Sequence, residues 1–301
     1  MFPIIPANSV TAASAENDEG IFGYGWGYLN ITNLVSNAGV VATDTAGVGT
    51  ARGALAATQY GGDKGIFGFG YTGSPTAVTN LVSNAGVVAS DTAGVGTAGY
   101  NLAACSYGGD KGIFGFGSIT GGVTSMTHLV SNAGVVASDT AGVGTARRSL
   151  AACEYGGDKG IFGFGYKTGG VQSITNLVSN AGVVATDTAG VGTARICPAA
   201  CSYGGDRDKG IFGYGYNDAY FSITNLVSNA GVVATDTAGV GTAREQLAAC
   251  EYGGDKGIFG FGSTGSNVSI TNLVSNAGVV ASDQAAVTGT GKQLPAACSF
   301  N

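Results

Sequence analysis

The sequence predicts an all-β fold made of six copies of one module, and three observations carry that prediction. The core Gly-Ile-Phe-Gly returns at Gly20, Gly65, Gly112, Gly160, Gly210 and Gly257, at intervals of 45, 47, 48, 50 and 47 residues. A fixed period of this size marks supersecondary units that bury their apolar faces only by stacking on one another. Within each copy, short apolar runs alternate with turn residues, and no segment sustains a 3.6-residue period with helix caps. The composition agrees: 44% of the 301 residues are hydrophobic, enough for a folded core, and the 55 glycines follow no Gly-X-Y period, which excludes collagen.

The copy from Arg147 to Thr193 shows each element in turn. Residues 149–155 form a short, mostly apolar run and read as a first strand. Gly156-Gly157-Asp158-Lys159 is turn chemistry, because Gly and Asp tolerate positive φ. Residues 160–165 read as a second strand, whose glycines imply close approach of a neighbouring backbone. A loop that varies between copies spans 166–173, and 174–178 reads as a third strand. Asn180-Ala181-Gly182 is a tight hairpin turn, and a fourth run opens at Val183 and ends in the Gly-rich 189–192. Four antiparallel strands in one such repeat, six times over, is the arithmetic of a six-bladed β-propeller. A β-solenoid is the rival, but its strands run parallel and need no hairpin turns.

Counting strands predicts how the ring closes. A tail copy of the first strand, 294–300, matches the internal copies well, whereas a head candidate at 11–14 matches poorly. The C-terminal strand is therefore expected to pair with residues 20–25 and complete the first blade, which removes exposed sheet edges. Residues 19–301 then form the propeller. Residues 1–18 form an N-terminal arm, apolar at Phe2, Ile4 and Ile5, that either contacts another subunit or packs locally. The segment Met1-Phe2-Pro3-Ile4-Ile5-Pro6 has no basic n-region, so no cleaved signal peptide is expected.

Cys105, Cys153, Cys201, Cys250 and Cys298 fill the same slot in successive copies, and Thr58 fills it in another. Equivalent positions in stacked units lie too far apart for disulfides, and Cys197 is displaced along the strand from Cys201. Buried packing thiols are expected, with no metal site and no cofactor. The net charge is −6 and no run of Lys or Arg stands out, so nucleic acid is not an expected partner. No stretch approaches the length of apolar chain that crosses a membrane.

Arg147, the strand after it, and Asp158-Lys159-Gly160-Ile161-Phe162-Gly163 resemble the kelch repeat. That repeat places an Arg before a first strand and ends its second strand in paired glycines. The resemblance covers residues 19–301. It departs in spacing the glycines as Gly-Phe-Gly and in carrying Val where the family has Trp in the fourth strand. It implies the propeller fold and no particular partner. The wording Thr-Asn-Leu-Val-Ser-Asn-Ala-Gly-Val-Val-Ala, with Asp-Thr-Ala-Gly-Val-Gly-Thr-Ala-Arg, also resembles propeller repeats encoded by tailed phages of aquatic bacteria. That likeness implies a virion component, in a tail or fibre, with an extracellular working surface.

Differences between the copies concentrate in two places. One is the loop after the second strand (26–30, 71–77, 118–125, 166–173, 216–222 and 263–269). The other is the link between units (53–54, 100–101, 148–149, 196–197, 245–246 and 292–293). In an up-and-down sheet both emerge on one face, and loops on a rigid scaffold are the usual seat of recognition. The candidate binding residues are therefore Trp26, Tyr28, Tyr71, Tyr100, Tyr166, Tyr216, Asp218, Tyr220 and Phe221, since aromatics among polar groups suit protein or sugar contact. The competing explanation is drift in unconstrained loops. The recurring Asp44, Asp91, Asp139, Asp187, Asp236 and Asp283, with Arg52, Arg147, Arg195 and Arg244, are expected to bond turns or neighbouring units. His128, where other copies have Asn, reads as a tolerated substitution. Catalysis needs an asymmetric cluster of base and nucleophile, and none is visible, so an enzyme is not expected. The expected function is a non-enzymatic structural and recognition module that meets a host surface, a surface glycan or an adjoining protein. A lectin and a cellular kelch-type scaffold are the alternatives.

Overall fold

A computed structural model describes residues 18–284 and 289–300. It contains six three-stranded antiparallel sheets, each ordered first, second and third strand, with a few two-residue pairings beside them. The single helical element among the described residues is a 3-10 turn at Gly205–Arg207. In the second unit the strands are Ala56–Tyr60, Lys64–Gly68 and Thr79–Val82, with Ala57 opposite Phe67 and Phe67 opposite Asn80. The other first strands are Ala103–Tyr107, Ala151–Tyr155, Ala199–Tyr203, Ala248–Tyr252 and Ala296–Phe300.

The second strands carry no alternation of apolar and polar residues because both of their faces are covered. Ile66 and Phe67 are adjacent in sequence, point to opposite sides of the sheet and are both fully buried. Each core cluster joins two successive units: Cys105, Ile113 and Phe116 of one pack with Phe162 and Val178 of the next. The glycines make that approach possible. A Cβ on Gly160 would lie 2.5 Å from Cys105 Sγ, and one on Gly163 would lie 2.8 Å from Phe212 Cζ. All six cysteines are free and buried, and each of the five in the repeated slot packs on a neighbouring unit's glycine. Burial pushes their thiols up, to about 12 for Cys298, so they remain protonated packing groups.

The expected fourth strand requires correction. In every unit the fourth run meets the third strand only at isolated bridges, such as Val82–Val88 and Thr79–Thr92. Their register differs by one residue, so the fourth run carries a bulge that breaks the ladder. The Asn80 side chain takes the carbonyl left over, with Nδ2 donating to Ala89 O at 3.0 Å.

The tail strand pairs as the count of strands requires. Ala296–Phe300 lies antiparallel to Glu19–Gly23, with Ile21 opposite Cys298. The pairing covers residues 19–23, a slightly different span from the expected 20–25. Successive first strands contact one another from Ala56–Tyr60 to Ala248–Tyr252, and Ala296–Phe300 contacts both of these. The arm at 1–17 and the head run at 11–14 lie outside the described residues. Asp18 is described, and its carbonyl accepts from Gly253 N at 2.8 Å.

The repeated charges join the units, as expected. Asp91 accepts from Thr50 N and Oγ1 of the preceding link at 3.0 and 2.5 Å, and from Asn80 Nδ2 of its own unit at 2.9 Å. The same staple recurs to the end of the chain, where Thr290 N donates to Asp44 at 2.8 Å and ties the last link to the first unit. The fully buried Arg52 guanidinium lies 4.4 Å over the Tyr24 ring and donates to Phe69 O and Asn80 Oδ1, both at 2.8 Å. Arg147, Arg195 and Arg244 stack in the same way over the preceding unit's aromatic ring, and Lys292 occupies this seat at the last junction. Burial lowers the Arg147 and Arg195 guanidinium groups to about 10 and the Lys292 ammonium to about 8.

One junction differs. Gly99 stands where the others carry Arg or Lys, and there His128 replaces the acceptor Asn. The imidazole fills the seat, with its ring 4.7 Å from Phe69 and Nε2 2.7 Å from Asp139 Oδ1. Burial lowers its pKa against the opposing pull of Asp139, so the neutral ring donates through Nε2. His128 is thus the partner of Gly99 and a compensating exchange, a stronger statement than tolerance.

Candidate functional site

Both variable connections lie on one face, as strand direction requires. Gly53 pairs with Tyr71, Arg148 with Tyr166, Ile196 with Tyr216, and Tyr100 with Ser118, so each link lies against the loop of its own unit. The links also meet at the centre of this face. Asn101, Ser149, Cys197, Gln246 and Leu294 each donate a backbone N–H to the equivalent carbonyl of the preceding link, beginning with Asn101 N to Ala54 O at 2.8 Å. One cavity is lined by residues of five links and by Leu294 and Pro295, which follow the sixth.

Four of the nine candidate residues come together. The strand Glu19–Gly25 turns through Trp26-Gly27-Tyr28 into Leu29–Val35. Tyr28 takes φ 58, a left-handed conformation that is costly for a residue with a Cβ. Trp26 and Tyr28 are 41% and 45% exposed, so the turn holds two large rings in water. The Trp26 ring lies 6.2 Å from Tyr28 and 6.1 Å from Tyr71, to which it is tilted by only 20°. Tyr71 in turn lies 5.1 Å from Tyr100. The result is a continuous aromatic ledge across three successive units. Gly53 permits it, since a Cβ there would sit 2.9 Å from Trp26 Cα.

The remaining candidates lie apart from the ledge. Tyr216 and Tyr220 face each other at 5.3 Å on a hairpin whose exposed tip is Asp218, at φ 59. Tyr166 lies under the Arg148 guanidinium at 5.4 Å. Phe221 is half-buried and its carbonyl accepts from Arg244 N, so its part is to hold the link in place.

Two features escaped the sequence reading. One is the Gly99–His128 exchange, signalled by two departures from the repeat at positions whose counterparts, such as Arg52 and Asn80 or Arg244 and Asn272, are hydrogen-bonded to each other. The other is the fifth unit's first turn, which gains two residues, Asp206-Arg207, and stretches that interval to 50 residues. Arg207 reaches two first strands at their opposite end. There its Nη1 lies 3.1 Å from Glu154 Oε2 and its Nε 3.2 Å from Glu251 Oε2. The chain's described termini lie there too, with Glu19 paired to Phe300.

The chain matches no protein-family model and no curated protein.

Proposed function

We propose that the six sheets are the blades of a closed, kelch-like six-bladed β-propeller that works as a non-enzymatic recognition module through its variable face. The observation that carries this reading is the ledge of Tyr28, Trp26, Tyr71 and Tyr100. Trp26 and Tyr28 are left in water, Tyr28 on a left-handed backbone, although the aromatic residues common to all six units, such as Phe67, Phe69 and Tyr60, are buried. The cyclic contacts of the first strands, the seam pairing and the Thr290–Asp44 staple support closure. Polarity of display follows from strand direction. Both described ends lie on the repetitive face, opposite the ledge. That arrangement suits a virion tail or fibre component that meets a host surface or an adjoining protein, the setting implied by the phage-like wording of the repeats.

A second reading, a lectin, draws on the neighbours of the ledge. Thr72, Ser74 and Asn101 are neutral hydrogen-bonding groups, and rings beside such groups suit the alternating apolar and hydroxylated faces of a sugar. The test uses Trp26, the single Trp, as its own reporter. Binding of host envelope fragments or glycans is expected to shift and protect its fluorescence. Trp26→Ala and Tyr71→Ala are each expected to weaken binding tenfold or more with thermal stability unchanged. Ligand binding that survives both substitutions would refute the assignment of the ledge.

A further inference from the structure

The first strands present a second, unannounced pattern at the residue before their final aromatic. Around the axis this position reads Gln59, Ser106, Glu154, Ser202, Glu251, Ser299. All six are buried and line one cavity of about 60 Å³. The two carboxylates are drawn to a single cation, Arg207, which only the fifth unit's insertion supplies. Its backbone and that of Asp206 are left-handed, at φ 53 and 57. The insertion is anchored to the neighbouring unit, with Gly157 N donating to Arg207 O at 3.3 Å and Gly156 N to Asp208 O at 2.9 Å.

One guanidinium serves two buried carboxyl groups, and buried charge persists only when paired or bound to a metal. Hydrogen bonding is equally lopsided. Glu154 Oε2 accepts from Arg207, from Gln59 Nε2 at 3.2 Å and from the Ser106 hydroxyl. Glu154 Oε1 is buried and accepts from no protein group, although the residue is only 2% exposed.

We propose that this axial cavity is a binding site for one hard, oxygen-seeking cation such as Ca²⁺ or Mg²⁺, held by Glu154 and Glu251 with the serine hydroxyls around them, and that Arg207 is its built-in partial substitute. The choice of a hard cation follows from the donors. The nearby thiols Cys105, Cys153 and Cys201 are protonated and turned onto the glycines of the next unit, so oxygen atoms alone remain.

The full chain, stripped with EDTA, is titrated with CaCl₂ and with MgCl₂ at pH 8.0, with heat and melting temperature as readouts. The expected result is saturable 1:1 binding that raises the melting temperature. Glu154→Gln, nearly isosteric, is expected to abolish it. Arg207→Ala, which removes the tethered cation, is expected to tighten it at least tenfold. Absence of binding at pH 8.0 in the wild-type chain, or an Arg207→Ala variant that folds and binds no more tightly, overturns the proposal. Ledge binding is measured separately through Trp26 and is independent of either outcome.

Discussion

Converting the exceptional junction to the common form gives a quantitative test of the buried cation seat. In Gly99→Arg the backbone is not left-handed, and the new Cβ makes a tight contact with Ser118 O at 3.2 Å that a small shift of the neighbouring strand relieves. The guanidinium, however, must enter the space of the His128 ring, and overpacking of this kind costs about 1–3 kcal/mol. In His128→Asn the ring contact with Phe69 is lost and no guanidinium replaces it, a cavity cost of about 1–3 kcal/mol. Together the two substitutions rebuild the arrangement at Arg52: a stack over the preceding ring, a bond to the carbonyl equivalent to Phe69 O and a bond to Asn Oδ1. Those bonds, at about 1.5 kcal/mol or more each for a charged donor, roughly offset the desolvation that lowers Arg147 and Arg195 to about 10. The double variant is therefore expected within about 1 kcal/mol of wild type, and the favourable coupling is about 3 kcal/mol. Urea unfolding followed by far-ultraviolet circular dichroism of all four proteins measures it. Additivity of the two single effects within about 0.5 kcal/mol would refute the claim that the two positions share one seat.

Further outcomes are expected elsewhere. Lys292 is fully buried, with its pKa lowered to about 8 from 10.5, so the folded state releases the proton first. Its stabilising contribution is complete above 10.5 and is lost as pH falls through about 8, a difference of roughly 3 kcal/mol. Urea midpoints of wild type are expected to gain on those of Lys292→Arg between pH 7 and 10, and parallel profiles would contradict this. The inter-unit aspartates behave oppositely on the acid side. Although burial alone would raise Asp91, hydrogen bonds from Thr50 and Asn80 hold it below the usual range, as their counterparts hold Asp187, Asp236 and Asp283. Their contribution is present above about pH 4 and lost as pH falls further, so Asp91→Asn should flatten the acid limb of a melting-temperature profile. Deleting residues 293–301 removes the partner of Glu19–Gly23 and should cost cooperative unfolding altogether; an unchanged melting curve would contradict the seam.

The fold was legible because its signals are local and repeated. Turn glycines, strand residues and the surplus first strand at the tail identify units, their strand order and the seam. The bulge in the fourth run was not legible, because Val183-Val184-Ala185-Thr186 has strand composition and the freed carbonyl is taken by an Asn side chain of the third strand. The aromatic candidates could be named as a face, but their grouping depends on which loops touch: Trp26 reaches Tyr71 across a unit boundary, whereas Tyr216 finds only Tyr220. Arg207 was invisible as a site because an insertion in a turn reads as slack until its side chain is placed between carboxylates 97 residues apart.

Backbone strain separates what the repeat needs from what this chain adds. Among the described residues, sixteen other than glycine have positive φ. Twelve belong to the repeat. They are one aromatic per second strand, from Tyr24 to Phe261, and one link residue per unit, from Ala54 to Leu294. Their strain recurs wherever packing recurs, so it is offset by the junctions and says nothing of ligands. The other four are Tyr28, Asp206, Arg207 and Asp218. They have no counterparts in the remaining units, so stacking does not explain them. Left-handed conformations at such residues cost on the order of 1 kcal/mol or more each and persist where surroundings or function hold them. Tyr28 carries the aromatic ledge, Asp218 tips the Tyr216–Tyr220 hairpin, and Asp206 and Arg207 deliver the guanidinium between Glu154 and Glu251. Relief of that strain therefore predicts gains in stability with loss of the associated property. Tyr28→Gly should stabilise the turn while weakening ledge binding, and Asp206→Gly should relax the insertion without disturbing the Glu154–Arg207–Glu251 contacts. A Tyr28→Gly variant that binds as wild type would show that the strained turn serves the fold alone.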